Sequence, residues 1–267
     1  MTTPKVPTIK REGSRFYVHP ETKAKAPGVT SIVGMLPKGF LKYYAARVAA
    51  GFAVEHLGEI VGLALRDPDA ARDLIYREPD RDTKRAADLG SEVHSVFEAL
   101  ARGEDVRRLH PEIQPYADHF REFLDQEQPE FVHLEETVWS EKHDYAGSFD
   151  ALMRIRGELV FGDWKTNRSD VHTDVGLQLS GYRYADYIVR PDGTRLPVPE
   201  VSGGCVLHVR PEGWKLCPIR CDEEVFQYFL HLRGVFDWVH GVQKTVIGKP
   251  IAGSDLRRTR RSVRRSA

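Results

Sequence analysis

The sequence predicts a mixed α/β fold in which helical material precedes and flanks a β-rich core. Three observations point to it. From Tyr145 to Lys165, two strand-like runs meet at Arg156-Gly157, a pair suited to a tight hairpin turn. Helical periodicity precedes this hairpin over about 40–65, 83–102 and 112–126, and follows it from about Asp174 to Val189. Val201 to Val209 and Trp214 to Ile219 then read as a second hairpin around Pro211-Glu212-Gly213.

Taken in order, residues 1–30 read as an extended arm, with Arg15 to Val18 strand-like and turns at His19-Pro20 and Pro27-Gly28. Val29 to Met35 is a short strand or a helix onset. Leu41, Tyr44, Ala45, Val48 and Phe52 recur at helical spacing, so Phe40 to Leu65 is expected to be helical. Residues 67–82 read as a short helix between proline-marked breaks. The helix expected from about Thr83 to Arg102 buries Ala86, Leu89, Val93, Val96, Phe97 and Leu100. Gly90 costs roughly 1 kcal/mol relative to alanine there and allows another backbone to approach. A further helix is expected from Glu112 to Gln126, then a Val- and Thr-rich strand from Phe131 to Ser140. A closing helix spans about Glu223 to His240, followed by an arginine-rich tail expected to be disordered. The division that results is 1–83, an N-terminal arm and helical extension; 84–247, the core with a strand–helix extension; and 248–267, the basic tail.

The 267 residues suffice for one large domain, and 39 basic against 39 acidic groups leave no formal net charge. The chain is therefore not a general nucleic-acid coat, although a local positive groove is compatible with this balance. Six of the last eleven residues are arginine. No apolar run approaches the roughly 20 residues that span a bilayer, and MTTPKVPTIKREG lacks an apolar signal core, so a cytoplasmic protein with no membrane contact is expected. Cys205, Cys217 and Cys221 are too few for a disulfide framework.

The central hairpin carries the chemistry. With a two-residue turn at Arg156-Gly157, Ile155 faces Glu158, and counting outward sets Asp150 opposite Asp163. Opposed residues share a face with Cβ atoms roughly 4.5–5.5 Å apart. Lys165 shares that face, two residues on. Two carboxylates so close repel one another, so a cation belongs between them, and a hard divalent ion with oxygen ligands fits. Asp163-Trp164-Lys165 alone would read as a surface pair; Asp150 opposite it changes the reading. Gln178 and Tyr182, four apart on the following helix, share one face.

An aspartate, then Asp-x-Lys, then Gln-x-x-x-Tyr, in this order, resembles the PD-(D/E)XK nucleases. The likeness is to their RecB-like branch, which includes CRISPR-associated exonucleases and many phage nucleases. It covers about residues 84–210, and the Pro-Gly-Val-Thr-Ser segment of the arm resembles one in phage members. The resemblance implies a restriction-endonuclease-like αβββαβ core with a helical N-terminal extension. The branch carries a histidine on an earlier helix, and Leu89-Gly90-Ser91-Glu92-Val93-His94 supplies one. His94, Asp150, Asp163 and the Trp164 backbone carbonyl are then the expected ligands of Mg²⁺ or Mn²⁺, with Lys165, Gln178 and Tyr182 beside them. Some relatives hold an iron–sulfur cluster on four cysteines, one before the core; this chain has none before Cys205, so no cluster is expected.

Glu136 is either an edge-strand charge or a group that orients Lys165 or a water at the metal. Glu98, four after His94, is either a neighbour of the site or solvated. Arg168 and Arg183 are candidates for phosphate contact. The resemblance implies a metal-dependent deoxyribonuclease leaving a 5′-phosphate, an exonuclease of recombination, repair or phage DNA processing, with DNA and a helicase or recombination protein as partners. The alternative is a non-catalytic nucleic-acid-binding subunit that retains the fold.

Overall fold

The computed structural model describes residues 5–253, and the chain is mixed α/β. Three antiparallel strands open it: β1 (Thr8–Arg11), β2 (Ser14–Val18) and β3 (Lys25–Pro27). Helices α1 (Val29–Val33), α2 (Phe40–Glu55), α3 (Leu57–Ala64), α4 (Pro68–Ala101) and α5 (Gln114–Glu127) follow. Next come β4 (Glu130–Leu134), β5 (Thr137–Ser140), β6 (Tyr145–Ser148), β7 (Ala151–Ile155), β8 (Glu158–Lys165) and α6 (Val175–Arg183). Strands β9 (Tyr187–Val189), β10 (Arg195–Pro197), β11 (Gly203–Arg210) and β12 (Gly213–Ile219) lead to α7 (Glu223–Asp237), a π-helical turn (Trp238–Val242) and α8 (Gln243–Val246).

The main sheet has the order β12-β11-β8-β7-β4. The β7–β8 hairpin closes at Arg156-Gly157 with Ile155 opposite Glu158, and both turn residues have positive φ, 50° and 85°. Arg156 accepts this left-handed backbone without being glycine while its guanidinium forks onto Glu127 at 2.6 and 2.8 Å. β11 runs parallel to β8, the crossover being α6 with the short strands β9 and β10.

Alternation along β8 feeds two cores. Phe161 packs with Leu152, Phe149, Leu179, Tyr182 and Phe229 toward α1, α6 and α7. Val160 and Trp164 pack with Met153, Phe97, Phe120 and Phe123 toward α4 and α5. Asp163 and Lys165 therefore share the α6 face with Phe161. Gly147 permits the close fit on that side, since a Cβ there would lie 2.7 Å from the Tyr182 ring.

Several expected boundaries move. Residues 67–82 and 83–102 form one helix, α4, so the expected boundary at 83/84 falls inside it. Pro68 opens this helix behind Asp67, whose carboxylate accepts from the Ala70 N–H at 3.0 Å. Pro79 lies inside it; the next turn is tied by Thr83 Oγ1 donating to the Pro79 carbonyl at 2.8 Å and by Arg85 bonding Glu78. The 40–65 segment is two helices, broken at His56. The helix expected to reach Val189 ends at Arg183, because Tyr187-Ile188-Val189 pairs with β5 instead. The expected strand 131–140 is two strands in two sheets, β4 beside β7 and β5 beside β6. The arginine-rich residues 254–267 lie outside the described residues.

That last split creates a corner. The strand pair bends from one sheet into the other at Glu135-Glu136 on one side and Phe149-Asp150 on the other. Pairing continues through the bend, with Glu135 N–H donating to the Asp150 carbonyl at 3.0 Å and Phe149 N–H to the Glu136 carbonyl at 3.1 Å. Glu135 has φ 55°, the left-handed region that few non-glycine residues adopt.

Candidate active site

The corner, the end of β8, α6 and α4 enclose a cleft of about 660 Å³, and the N-terminal segment supplies Lys5, Arg15 and Tyr17 to its wall. Asp150 follows the corner directly. Its Oδ2 accepts from the Trp164 N–H at 2.6 Å, so the sheet itself orients the carboxylate. The Ala151–Gly162 pair, continued by one residue, sets it beside Asp163.

Asp163 is 2% exposed. Its Oδ1 accepts from Gln178 Nε2 at 2.7 Å, and the same Nε2 donates to the Tyr182 hydroxyl at 3.0 Å. One helical turn thus joins the Gln-x-x-x-Tyr pair to the carboxylate. Asp163 Oδ2 lies 2.6 Å from Lys165 Nζ, so this buried oxygen is paired with the ammonium. Buried carboxylates crowded as Asp150 and Asp163 are remain costly unless positive charge beyond a single ammonium offsets them.

His94 comes from α4, the layer opposite α6. Its Nδ1 lies 3.8 Å from Asp150 Oδ1, and its ring is within hydrogen-bonding reach of the Trp164 backbone. His94, Asp150 and Glu135 each offer one atom to a group lying within 4.8 Å of one another. The expected trio of His94, Asp150 and Asp163 is therefore altered: Glu135 stands with His94 and Asp150, while Asp163 is held next to them by Gln178 and Lys165.

Glu135 was not anticipated. Counting from Leu134 opposite Ala151 in the β4–β7 pair sets Glu135 opposite Asp150, so three adjacent strands present Glu135, Asp150 and Asp163 in one row. The signal lay in the register of β4, hidden because 131–140 reads as one strand. Glu136, the residue singled out instead, points away: it bonds Arg190 at 3.0 and 3.2 Å and meets His133 at 3.3 Å. Its alternative role beside Lys165 is excluded by this geometry. Glu98 lines the cleft near Lys5, 4.0 Å away. Arg168 lines the groove beyond Lys165, whereas Arg183 lies over the Tyr184 ring at 5.5 Å, outside the cleft. Gly90 also lines the cleft; the atom nearest a Cβ there would be the Thr166 hydroxyl at 3.4 Å, a side chain and not the backbone expected.

The electrostatics follow from the crowding. Burial, then Asp163 and Glu135, hold the Asp150 carboxyl well above the usual range. Burial raises Glu135 too, opposed by Lys5, whose ammonium is 2.7 Å from Oε2. Burial lowers His94, favouring neutral imidazole. Burial would lower Lys165, but Asp163 and Asp150 outweigh it and the amine stays above its usual value, an ammonium. Three carboxylates and a neutral imidazole are a chemically suitable set for Mg²⁺ or Mn²⁺, the imidazole being better suited to Mn²⁺.

No family model matches the chain, and no curated protein matches it. Among solved structures, one titled "Crystal structure of SSO0001" is 16% identical over 73% of this chain and 73% of that chain, with a TM-score of 0.32. A likeness at that level decides neither fold family nor function. No helix among the described residues is long and apolar enough to cross a membrane.

Proposed function

We propose that the chain is a metal-dependent deoxyribonuclease built on a restriction-endonuclease-like core. The order α4–α5, β4, β7, β8, α6, β11, with β11 parallel to β8, supports that core, β5 and β6 being an excursion into a second sheet. One observation carries the functional reading. Buried Asp163, paired with the Lys165 ammonium at 2.6 Å, stands beside Asp150 and its neighbours Glu135 and His94 on an open cleft.

Asp150, Glu135 and His94 would hold the ion, with Asp163 completing the set. Bound there, a divalent cation supplies Lewis acidity toward a phosphodiester and its attacking water. Lys165, kept as an ammonium, stabilises negative charge that grows on the phosphate oxygens and does not act as the base. Gln178 anchors Asp163 and is itself anchored by Tyr182, so the carboxylate cannot swing toward Lys165 alone. Trp164 N–H fixes Asp150 from behind.

The test is cleavage of end-labelled linear DNA beside a closed circle, with Mg²⁺, Mn²⁺ or EDTA. Metal-dependent loss of label from the linear substrate, absent in EDTA, is expected. DNA left intact with either ion at every pH from 6 to 9 overturns the reading.

A further inference from the structure

Beyond the cleft, α2 carries an unusual surface. Although rich in aromatic and aliphatic residues, it buries none of its sixteen residues. Phe40 and Tyr43 are 52% and 69% exposed, and with Arg47 they follow i, i+3, i+7 spacing along one helix face. Phe40 stacks on His172 from the loop after β8, with centroids 5.6 Å apart and planes at 13°. Lys42 Nζ lies 4.9 Å from the Tyr43 ring centre.

These rings line a groove of about 630 Å³ that reaches Arg168. A recess of about 360 Å³ shares Asn167 and Arg168 with that groove, and shares His94 and Lys165 with the catalytic cleft. The three hollows therefore form one track. Arg47 and Arg168 make no ion pair or side-chain hydrogen bond among the described residues. The acidic group of the groove, Asp82, bonds the Tyr44 hydroxyl and Arg85 at 3.3 Å and also attracts Arg168, and with Arg47 and Arg168 both in the lining the groove is net positive.

We infer that Phe40, Tyr43 and His172 form a stacking platform for the bases of an unpaired DNA strand, with Arg47 and Arg168 meeting its phosphates. The inference rests on the nuclease reading for what lies at the other end of the track. Flat rings open to solvent in a net positive groove suit a polymer that alternates π-faces with negative charge. In a duplex the base faces are stacked on one another, so the platform discriminates for a single strand.

The test is fluorescence anisotropy of a labelled oligothymidylate and of a duplex of equal length, in EDTA, with the full chain. Phe40→Ala with Tyr43→Ala should weaken single-strand affinity about ten- to a hundredfold and duplex affinity less than twofold. Phe40→Trp with Tyr43→Phe should retain the affinity, which guards against a folding defect in the alanine variant. Arg168→Ala should make the dependence of log affinity on log salt shallower by about one unit. Unchanged single-strand affinity in the double alanine variant, or an equal loss on both substrates, overturns the platform. Manganese-dependent hydrolysis of bis(p-nitrophenyl) phosphate, which has no base to stack, reads the phosphodiester site separately in the unaltered chain. Hydrolysis without a ring effect overturns the platform alone. A ring effect without hydrolysis leaves the platform standing and overturns the nuclease reading.

Discussion

The β7–β8 hairpin and helix α2 carry comparable numbers of aromatic and aliphatic residues, yet they treat them oppositely. In the hairpin, Leu152, Met153 and Phe161 are wholly buried, and Asp163 on β8 and Asp150 just before β7 are held in the cleft by hydrogen bonds. In α2, Phe40 and Tyr43 remain at the surface, and Arg47 on the same face makes no ion pair among the described residues. Where a strand runs between two helical layers it has no solvent face, so a polar side chain buried there must find partners or a cation. A helix on the outside of the molecule has no such constraint, and its apolar residues remain available for a ligand. The contrast separates residues that hold the fold from residues free to bind.

The largest expected effect lies at the crowded carboxylates. Asp150→Asn keeps an oxygen for the Trp164 N–H but removes a charge, and cleavage should fall roughly a thousandfold, the several kcal/mol that a metal centre supplies. Stability in EDTA should move the other way. A carboxyl whose folded pKa is raised binds its proton more tightly folded than unfolded, so its destabilising effect appears as the pH rises through the unfolded value and is full above the folded one. The thermal midpoint of the unaltered chain in EDTA should therefore drop between acidic and neutral pH, and Asp150→Asn should flatten that drop. A steeper profile in the variant would remove carboxylate repulsion from the account.

The next effect compares the two regions directly. Phe161→Ala empties a site with no solvent contact and should cost about 3–5 kcal/mol by urea denaturation, whereas Phe40→Ala should stay within about 0.5 kcal/mol. Equal losses would mean that α2 is structural and the contrast false.

A smaller change tests the link through α6. Gln178→Ala leaves Asp163 with Lys165 and without its amide anchor, and should lower manganese affinity or turnover about 10- to 100-fold, read by calorimetry and initial rates. Wild-type values for both would reduce the Gln-x-x-x-Tyr pair to packing.

The smallest effect concerns the thiols. Burial pushes Cys205 up to about 12 and raises Cys221 as well, while Cys217 is only half-buried. Iodoacetamide at pH 8 should modify Cys217 first and Cys205 last, as read by peptide mass mapping. Rapid modification of Cys205 would indicate that the sheet beside Asp163 opens readily.

Much of the site was legible because its rules are local. A two-residue turn sets cross-strand register by counting, which brought Asp150 beside Asp163; a period of two kept Lys165 on their face; a helical turn joined Gln178 to Tyr182. None of these depends on distant chain. What the tertiary structure decided is where local rules end. Glu135 and Glu136 are neighbours in sequence, and only the bend between two sheets, with its left-handed backbone at Glu135, turns the first toward Asp150 and the second toward Arg190. Lys5 reaches Glu135 from 130 residues away, a contact that no pattern within either segment encodes. The apolar spacing of α2 gave a helix correctly, but whether that face would be covered depended on how α2 lies against α3 and α4. Periodicity records which residues share a face; packing decides what, if anything, meets it.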